Sequence, residues 1–290
     1  MTVAVSAWRQ VRGRVDHQAD FGAGHRWLEL RVTAELEPPD PGQFIQLLIP
    51  SHASGAFLPR PMSVASVRPL RDGLMLGFLY VPIGVGTHAL AALPAGAEVE
   101  ALGPLGRGFP LDRPGTPVLV AGGRGVAPLL FAAESLARLG RRFELLFGAR
   151  DRAHLVGLDE ARRRVAGRGR LHLSTDDGSA GIKGTVVEAL DRLSPRPDHP
   201  MVIHACGPHA MLAAVARWAA ERRVTAWVAM ESVMACGTGV CRGCPLARSA
   251  RGRAAFGSQP PSLLGNRDYA MCCTEGPVFD SRDLDWERIE

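Results

Sequence analysis

A chain of 290 residues with 46% hydrophobic and 22% charged side chains is long enough for about two domains with real cores, and this composition excludes a mainly disordered protein. No run approaches the roughly 18 apolar residues of a membrane span, and residues 1–13 carry Arg9 and Arg12 without an apolar stretch, so a cytoplasmic chain without a secretory signal is expected. The net charge of +5 comes almost wholly from arginine, Lys183 being the only lysine; with 6% aromatics and no basic element interleaved with stacking rings, no nucleic-acid partner is expected.

The first third reads as strands. Residues 26–33 (RWLELRVT), 43–49 and 74–81 (LMLGFLYV) alternate or run apolar, and turn-rich pieces such as 37–42 (EPPDPG) separate them. With no convincing helix among them, these strands predict a small antiparallel β-barrel. After residues 110–117 the pattern changes. Residues 117–121 (PVLVA) form a short buried-type strand, followed by a glycine turn and a helix over 129–139 that Pro128 opens and Gly140 ends. Strands over 143–147, 171–174 and 201–206 then alternate with helices over 159–165, 185–193 and 210–220. That alternation predicts a doubly wound parallel α/β sheet. The arginines 162–164 read as the solvated face of a helix, and 194–200 (SPRPDHP) as a loop within this domain. From Glu231 on, the chain is a Cys- and Gly-rich loop region. The expected division is a barrel over 1–112, the α/β domain over 113–229 and a cluster-bearing segment over 230–290.

The six cysteines are placed unevenly: Cys206 stands alone, while Cys236, Cys241, Cys244, Cys272 and Cys273 crowd together. Such clustering argues for metal binding over a disulfide framework. Cys236-x4-Cys241-x2-Cys244 followed by a distant cysteine is the plant-type spacing for a [2Fe–2S] cluster. Three thiolates must converge on an anionic core from one tight loop, and Gly237, Gly239 and Gly243 allow it to bend. By residue type the fourth ligand is either Cys272 or Cys273. Structural zinc usually recruits two separated Cys-x2-Cys pairs, and only one is present. A non-catalytic, zinc-stabilised binding module is the reading from another class.

Two further patterns suggest nucleotide binding. Gly122, Gly123 and Gly125 join a strand to a helix, where backbone amides and the helix N-terminus can meet a pyrophosphate; the same turn could equally serve packing. Cys206, Gly207 and Pro208 end a second parallel strand, so the two turns together make a crevice where a dinucleotide can lie. In the barrel, Arg60-Pro61-Met62-Ser63 offers a planar guanidinium for phosphate, and Gly86-Thr87 offers further donors.

Together these motifs resemble the ferredoxin-reductase-type flavoproteins, and most closely the electron-transfer subunits of two-component, NAD-linked bacterial dihydroorotate dehydrogenases. The resemblance spans nearly the whole chain, through 60–63, 79–81, 86–87, 103–106, 122–128, 176–179, 206–208, 231–244 and 273–279. It implies that Arg60, Pro61, Met62, Ser63, Leu79, Tyr80, Val81, Gly86 and Thr87 bind FAD. It also implies that Cys236, Cys241, Cys244 and Cys273 hold the [2Fe–2S] cluster, since a Cys-x-x-Gly-Pro-Val-Phe run closes the family's cluster segment. The implied partner is an FMN-containing catalytic subunit that oxidises dihydroorotate to orotate, in a heterotetramer of two copies of each chain. Electrons would pass through the cluster and FAD to NAD⁺. The alternative within this class is a reductase subunit serving a hydrogenase, a sulfite reductase or a ferredoxin. Arg150-Asp151-Arg152 offers both a carboxylate and guanidiniums near the expected ribose, leaving NAD against NADP open.

Overall fold

Alternation of apolar and polar residues in the first third can be satisfied only if one face of every strand is covered, and barrel closure does this without leaving an edge. The computed structural model describes residues 8–49, 55, 57–193, 200–257 and 265–289. In it β1 (Arg9–Gly22), β2 (His25–Thr33), β3 (Phe44–Leu48), β4 (Arg60–Leu70), β5 (Gly73–Tyr80) and β6 (Glu98–Leu105) close into an antiparallel barrel in the order β1-β2-β5-β4-β3-β6. Leu28, Leu30, Ile45, Leu47, Leu76 and Phe78 fill its interior.

One barrel element departs from the all-strand expectation. Residues Val85–Ala92 form helix α1, which takes in Gly86 and Thr87. The run begins with Gly84, Gly86 and Thr87, types that read as a turn. Thr87 nevertheless caps the helix, its Oγ1 accepting from the amides of Ile83 (2.9 Å) and Gly84 (3.1 Å). At the other end the Gln18 amide donates to the carbonyls of Leu90 and Leu93 at 2.9 and 3.0 Å, satisfying groups a helix terminus leaves open.

The second half is a seven-stranded sheet in the order β10-β9-β8-β7-β11-β12-β15, built from β7 (Thr116–Gly122), β8 (Phe143–Ala149), β9 (Gly169–Thr175), β10 (Ile182–Lys183), β11 (Met201–Cys206), β12 (Thr225–Ala229) and β15 (Val278–Asp280). All pairs are parallel except β12 with β15. Helices α2 (Val126–Arg138), α3 (Leu158–Val165), α4 (Val186–Asp191) and α5 (His209–Glu221) cover it. Most of α2 is buried because it packs both on the sheet and on β4 of the barrel, which explains an apolar surface wider than a single stripe.

Strands β12 and β15 were not anticipated: each is short, and their burial comes from the strands beside them. The tail is thus partly woven into the sheet, and its remaining elements are β13 (Pro245–Ala247), α6 (Ala250–Phe256), β14 (Tyr269–Met271) and α7 (Cys272–Glu275). The arginine run also differs in part. Arg162 and Arg163 are solvated, but Arg164 is only 14% exposed and pairs with Glu160 while lying 3.8 Å from Glu134 of α2, tying α3 to α2. Most of the loop 194–200 lies outside the described residues, as do residues 258–261 of the Arg- and Pro-rich stretch 247–261 that lies between Cys244 and Cys273.

The centre of the sheet holds a buried imidazole. His204 sits on β11 between Leu119 and Trp227, edge-on to the Phe109 ring at 5.5 Å, with Nδ1 lacking any partner. Burial, with the Arg141 charge adding to it, lowers its pKa from 6.5 to about 3. Between those values the unfolded chain binds a proton that the folded chain refuses. Stability is therefore complete above pH 6.5 and falls as pH drops toward 3. Urea unfolding of His204→Leu alongside the wild type should show the wild type losing about 1.4 kcal/mol more than the variant between pH 7.5 and 5.5. A difference that stays constant with pH would show that His204 does not titrate in this way.

Candidate functional site

Strand β4 starts with Arg60 and runs beside β5, so the segments 60–63 and 79–81 emerge together at one end of the barrel. The Arg60 guanidinium is pinned by the carbonyls of Leu58 (2.8 Å) and Pro59 (3.2 Å). It lies against the backbone of α1, where a Cβ at Gly86 would stand 2.5 Å from its Nε. Tyr80 is buried; its hydroxyl donates to Gln18 Oε1 at 2.7 Å, and desolvation pushes its pKa up to about 12. It therefore stays a neutral phenol that holds, through Gln18, the helix carrying Thr87.

The glycine turn after β7 faces this end. Strands β7 and β11 are parallel neighbours, with Ala121 opposite Cys206. Gly122 ends β7, Gly123 and Gly125 form a 3-10 turn leading into α2, and Gly207 and Pro208 lead from β11 into α5. Gly125 has an ordinary helical φ of −59°. Its need for glycine is spatial: a Cβ would lie 2.3 Å from the carbonyl oxygen of Cys206 and 2.6 Å from the amide nitrogen of Gly207. Cys206 is buried, and desolvation raises its thiol pKa well above the usual range, so it presents a neutral wall. Arg124 turns toward the tail, its Nη2 lying 3.4 Å from Glu231 Oε2.

All these parts meet at one cavity of about 800 Å³. The barrel contributes residues 60–63, 79–81 and Thr87, the sheet contributes Gly125 and Cys206, and the tail contributes residues 230–234 and 245–247. Gly86 backs Arg60 from behind, and Gly122, Gly123, Gly207 and Pro208 frame the turns without lining the space. Tyr269, Arg288 and Ile289 complete the wall. Nothing in their types or spacing signals this. Arg288 and Ile289 arrive because β15 folds back onto β12 and the chain then turns through Trp286, whose Nε1 donates to the Ser281 carbonyl at 2.8 Å. Tyr269 arrives because the 269–271 strand pairs with 245–247, Tyr269 standing opposite Ala247.

The cysteines stand beside this cavity in two pairs. Cys236 and Cys241 bring their sulfurs to 3.3 Å, and the side chains of Cys244 and Cys273 hydrogen-bond to each other. The loop points amides at sulfur: Thr238 and Cys241 donate to Cys236, Gly243 to Cys241, and Cys273 to Cys244, each at 3.4 Å. Burial would raise the Cys236 pKa, but the amides of Cys241 and Thr238 outweigh it and lower the value to about 6. The Cys244 thiol is lowered to about 7, first through the hydrogen bond from Cys273, which itself rises as the partner that keeps the proton. Cys272 is turned elsewhere, toward the Met230 carbonyl at 3.6 Å, and desolvation raises its pKa.

Among the described residues, no group of three or more His, Cys, Asp or Glu closes around a single metal ion. Two thiol pairs, each supplied with amide donors, suit a two-iron group taking two thiolates per iron, and suit one tetrahedral zinc poorly. Behind them a buried ion pair fixes the segment: Arg248 binds Glu275, whose Oε1 accepts from the amides of Gly265 (2.8 Å) and Met271 (2.9 Å). No helix among the described residues is long and apolar enough to cross a membrane.

A closed barrel and a doubly wound sheet sharing a cavity at the strand ends define a ferredoxin-reductase-type oxidoreductase, and residues 119–217 match the family described as oxidoreductase NAD-binding domain. In solved structures, the chain superposes on the NADH-dependent reduced ferredoxin–NADP oxidoreductase with a TM-score of 0.76 and 25% identity, over 96% of this chain and 91% of that one. On an Amycolatopsis cytochrome P450 reductase it gives a TM-score of 0.61 and 27% identity, over 74% and 67%. Among sequences, it is 34% identical to the dihydroorotate dehydrogenase B (NAD(+)) electron transfer subunit of Desulforamulus reducens, over 87% of this chain and 92% of that protein. With the subunit of the same name from Clostridium perfringens the identity is 31%, over 97% and 100%. The chain belongs to the family of dihydroorotate dehydrogenase B electron transfer subunits.

Proposed function

We propose that this chain is the electron-transfer half of a two-component, NAD-linked enzyme whose other half, an FMN subunit, oxidises dihydroorotate to orotate. It would hold FAD in the cavity and a [2Fe–2S] cluster on Cys236, Cys241, Cys244 and Cys273, and deliver electrons to NAD⁺. The observation that carries this reading is the single cavity walled by the barrel, the nucleotide turn and the segment leading into the cysteine loop. When bound, a flavin supplies the exchange between hydride transfer and one-electron transfer, and an iron–sulfur cluster supplies one-electron transfer.

The protein's task is to bind and orient. Arg60, fixed by two carbonyls, presents a fork of donors suited to a pyrophosphate, and the N-terminus of α1 beside it adds amides. Ser63, exposed at the cavity, offers a hydroxyl to the polar edge of a ring system. Cys206 and Gly125 leave a neutral, close-packed surface where a nicotinamide can lie flat. The amides around Cys236, Cys241 and Cys244 favour thiolate and so favour metal. No base for dihydroorotate is required of this chain, since that chemistry belongs to the partner. The setting is the cytoplasm, where thiols stay reduced, and the assembly is two copies of each subunit.

A second reading keeps the cofactors and changes the partner to a ferredoxin-linked one, favoured by the likeness to the reduced ferredoxin–NADP oxidoreductase. The cofactor assignment is tested by composition. Purified protein should be yellow-brown, with about two irons and one FAD per chain; one zinc and no flavin would contradict it.

A further inference from the structure

Gln46 stands in the middle of β3, in the run Phe44-Ile45-Gln46-Leu47-Leu48. Ile45 and Leu47 fill the barrel, so strand alternation turns Phe44 and Gln46 to the outer face. On that face Phe44 shares a core with Leu105, Cys244, Cys272 and Cys273. Gln46 is 0% exposed there, and neither its Nε2 nor its Oε1 has a hydrogen-bond partner. Buried amides almost always find partners, and packing alone would be met better by leucine or methionine.

The amide is aimed at the cysteine loop. Gly237, the neighbour of Cys236, has φ +74°, and a Cβ there would stand 2.7 Å from Gln46 Nε2 and 2.8 Å from its Cγ. On its other side Gln46 pairs in register with Pro61, within the cavity-lining segment of β4. This barrel side chain thus touches the loop that carries Cys236.

We propose that Gln46 Nε2 donates a hydrogen bond to the sulfur-containing group held by this loop and so raises that group's affinity for an electron. The proposal rests on the iron–sulfur reading given above. Charge added on reduction falls largely on sulfur, so a donor held out of water stabilises the reduced state more than the oxidised one. In this role Gln46 adds a side-chain donor to the backbone donors of the loop.

The test compares the full-length wild type with Gln46→Met, which keeps length and volume but removes both polar groups. Three quantities are read: iron and sulfide per chain, the midpoint potential by an EPR-monitored redox titration, and melting temperatures of the iron-loaded and iron-free chains. The variant should bind iron and sulfide as the wild type does. Its potential should fall by about a tenfold change in the reduction equilibrium, about 59 mV for one electron. The iron-free variant should melt at or above the wild type, because an unpaired amide has gone, while the loaded variant should melt below it. An unchanged potential in an iron-loaded variant would overturn the proposal and leave the cluster assignment standing, as would equal destabilisation of both forms, which marks pairing to an internal water. A wild-type chain that binds zinc and no sulfide would overturn the iron–sulfur reading itself and the proposal with it.

Discussion

Cys273→Ser is expected to abolish cluster binding, taking iron from about two per chain to near zero, while Cys272→Ser leaves iron content and visible absorption unchanged. The two residues are neighbours on α7, and chemistry alone does not separate them. Geometry does. Cys273 hydrogen-bonds to Cys244 through both its side chain and its amide, whereas Cys272 is spent on the Met230 carbonyl in an environment that raises its pKa. Serine at 273 removes the thiolate from one of the two pairs, and an alkoxide is not available near neutral pH. Iron and acid-labile sulfide analysis, with the absorption spectrum, decides it. Loss of iron from Cys272→Ser with retention in Cys273→Ser would reverse the ligand assignment.

The second large effect concerns the nucleotide turn. Gly125→Ala should reduce NADH-dependent reduction of ferricyanide about 100-fold, because the two strand ends must part by roughly an ångström and displace the nicotinamide surface. The obstruction is backbone, the Cys206 carbonyl at 2.3 Å and the Gly207 amide at 2.6 Å, so no rotamer change relieves it. Destabilisation of about 1–3 kcal/mol should accompany the loss, as for other overpacked sites. Gly123→Ala is the control: its φ is +51° but nothing lies within 4 Å of the new methyl. It should cost about 1–2 kcal/mol of backbone strain and leave turnover within a few-fold. Equal turnover in the two variants would show that close approach at Gly125 does not govern the site.

Much of the architecture was readable because it is periodic. The barrel strands alternate, and the strand–helix alternation after residue 117 forces a doubly wound sheet. Three barrel strands, β1, β4 and β6, were not legible, because glycines, prolines and charged residues interrupt their apolar pattern; the rest of what escaped was short or decided by neighbours. Helix α1 opens in residues that read as a turn, which hides the helix-forming run 88–92 (HALAA) behind them, and Thr87 and Gln18 satisfy its ends. Strands β12 and β15 have only five and three residues, and each is a strand because another runs beside it. The cysteine spacing announced a metal-binding loop, and the glycine turn was visible as a turn. The reason for Gly125 was not, since it lies in a contact across two strands distant in sequence. Gln46 was legible only as one polar letter in an apolar run; its significance needs the cysteine loop folded over it.

The most direct test of the electron relay is a coupled assay with both subunits. This chain is co-expressed with an FMN-containing dihydroorotate-oxidising subunit, and the purified complex is given dihydroorotate and NAD⁺ without oxygen. Orotate and NADH forming in equal amounts, with NADH lost when this chain is omitted, is the predicted result. Orotate forming with no NADH, or NADH forming equally well without this chain, would contradict it.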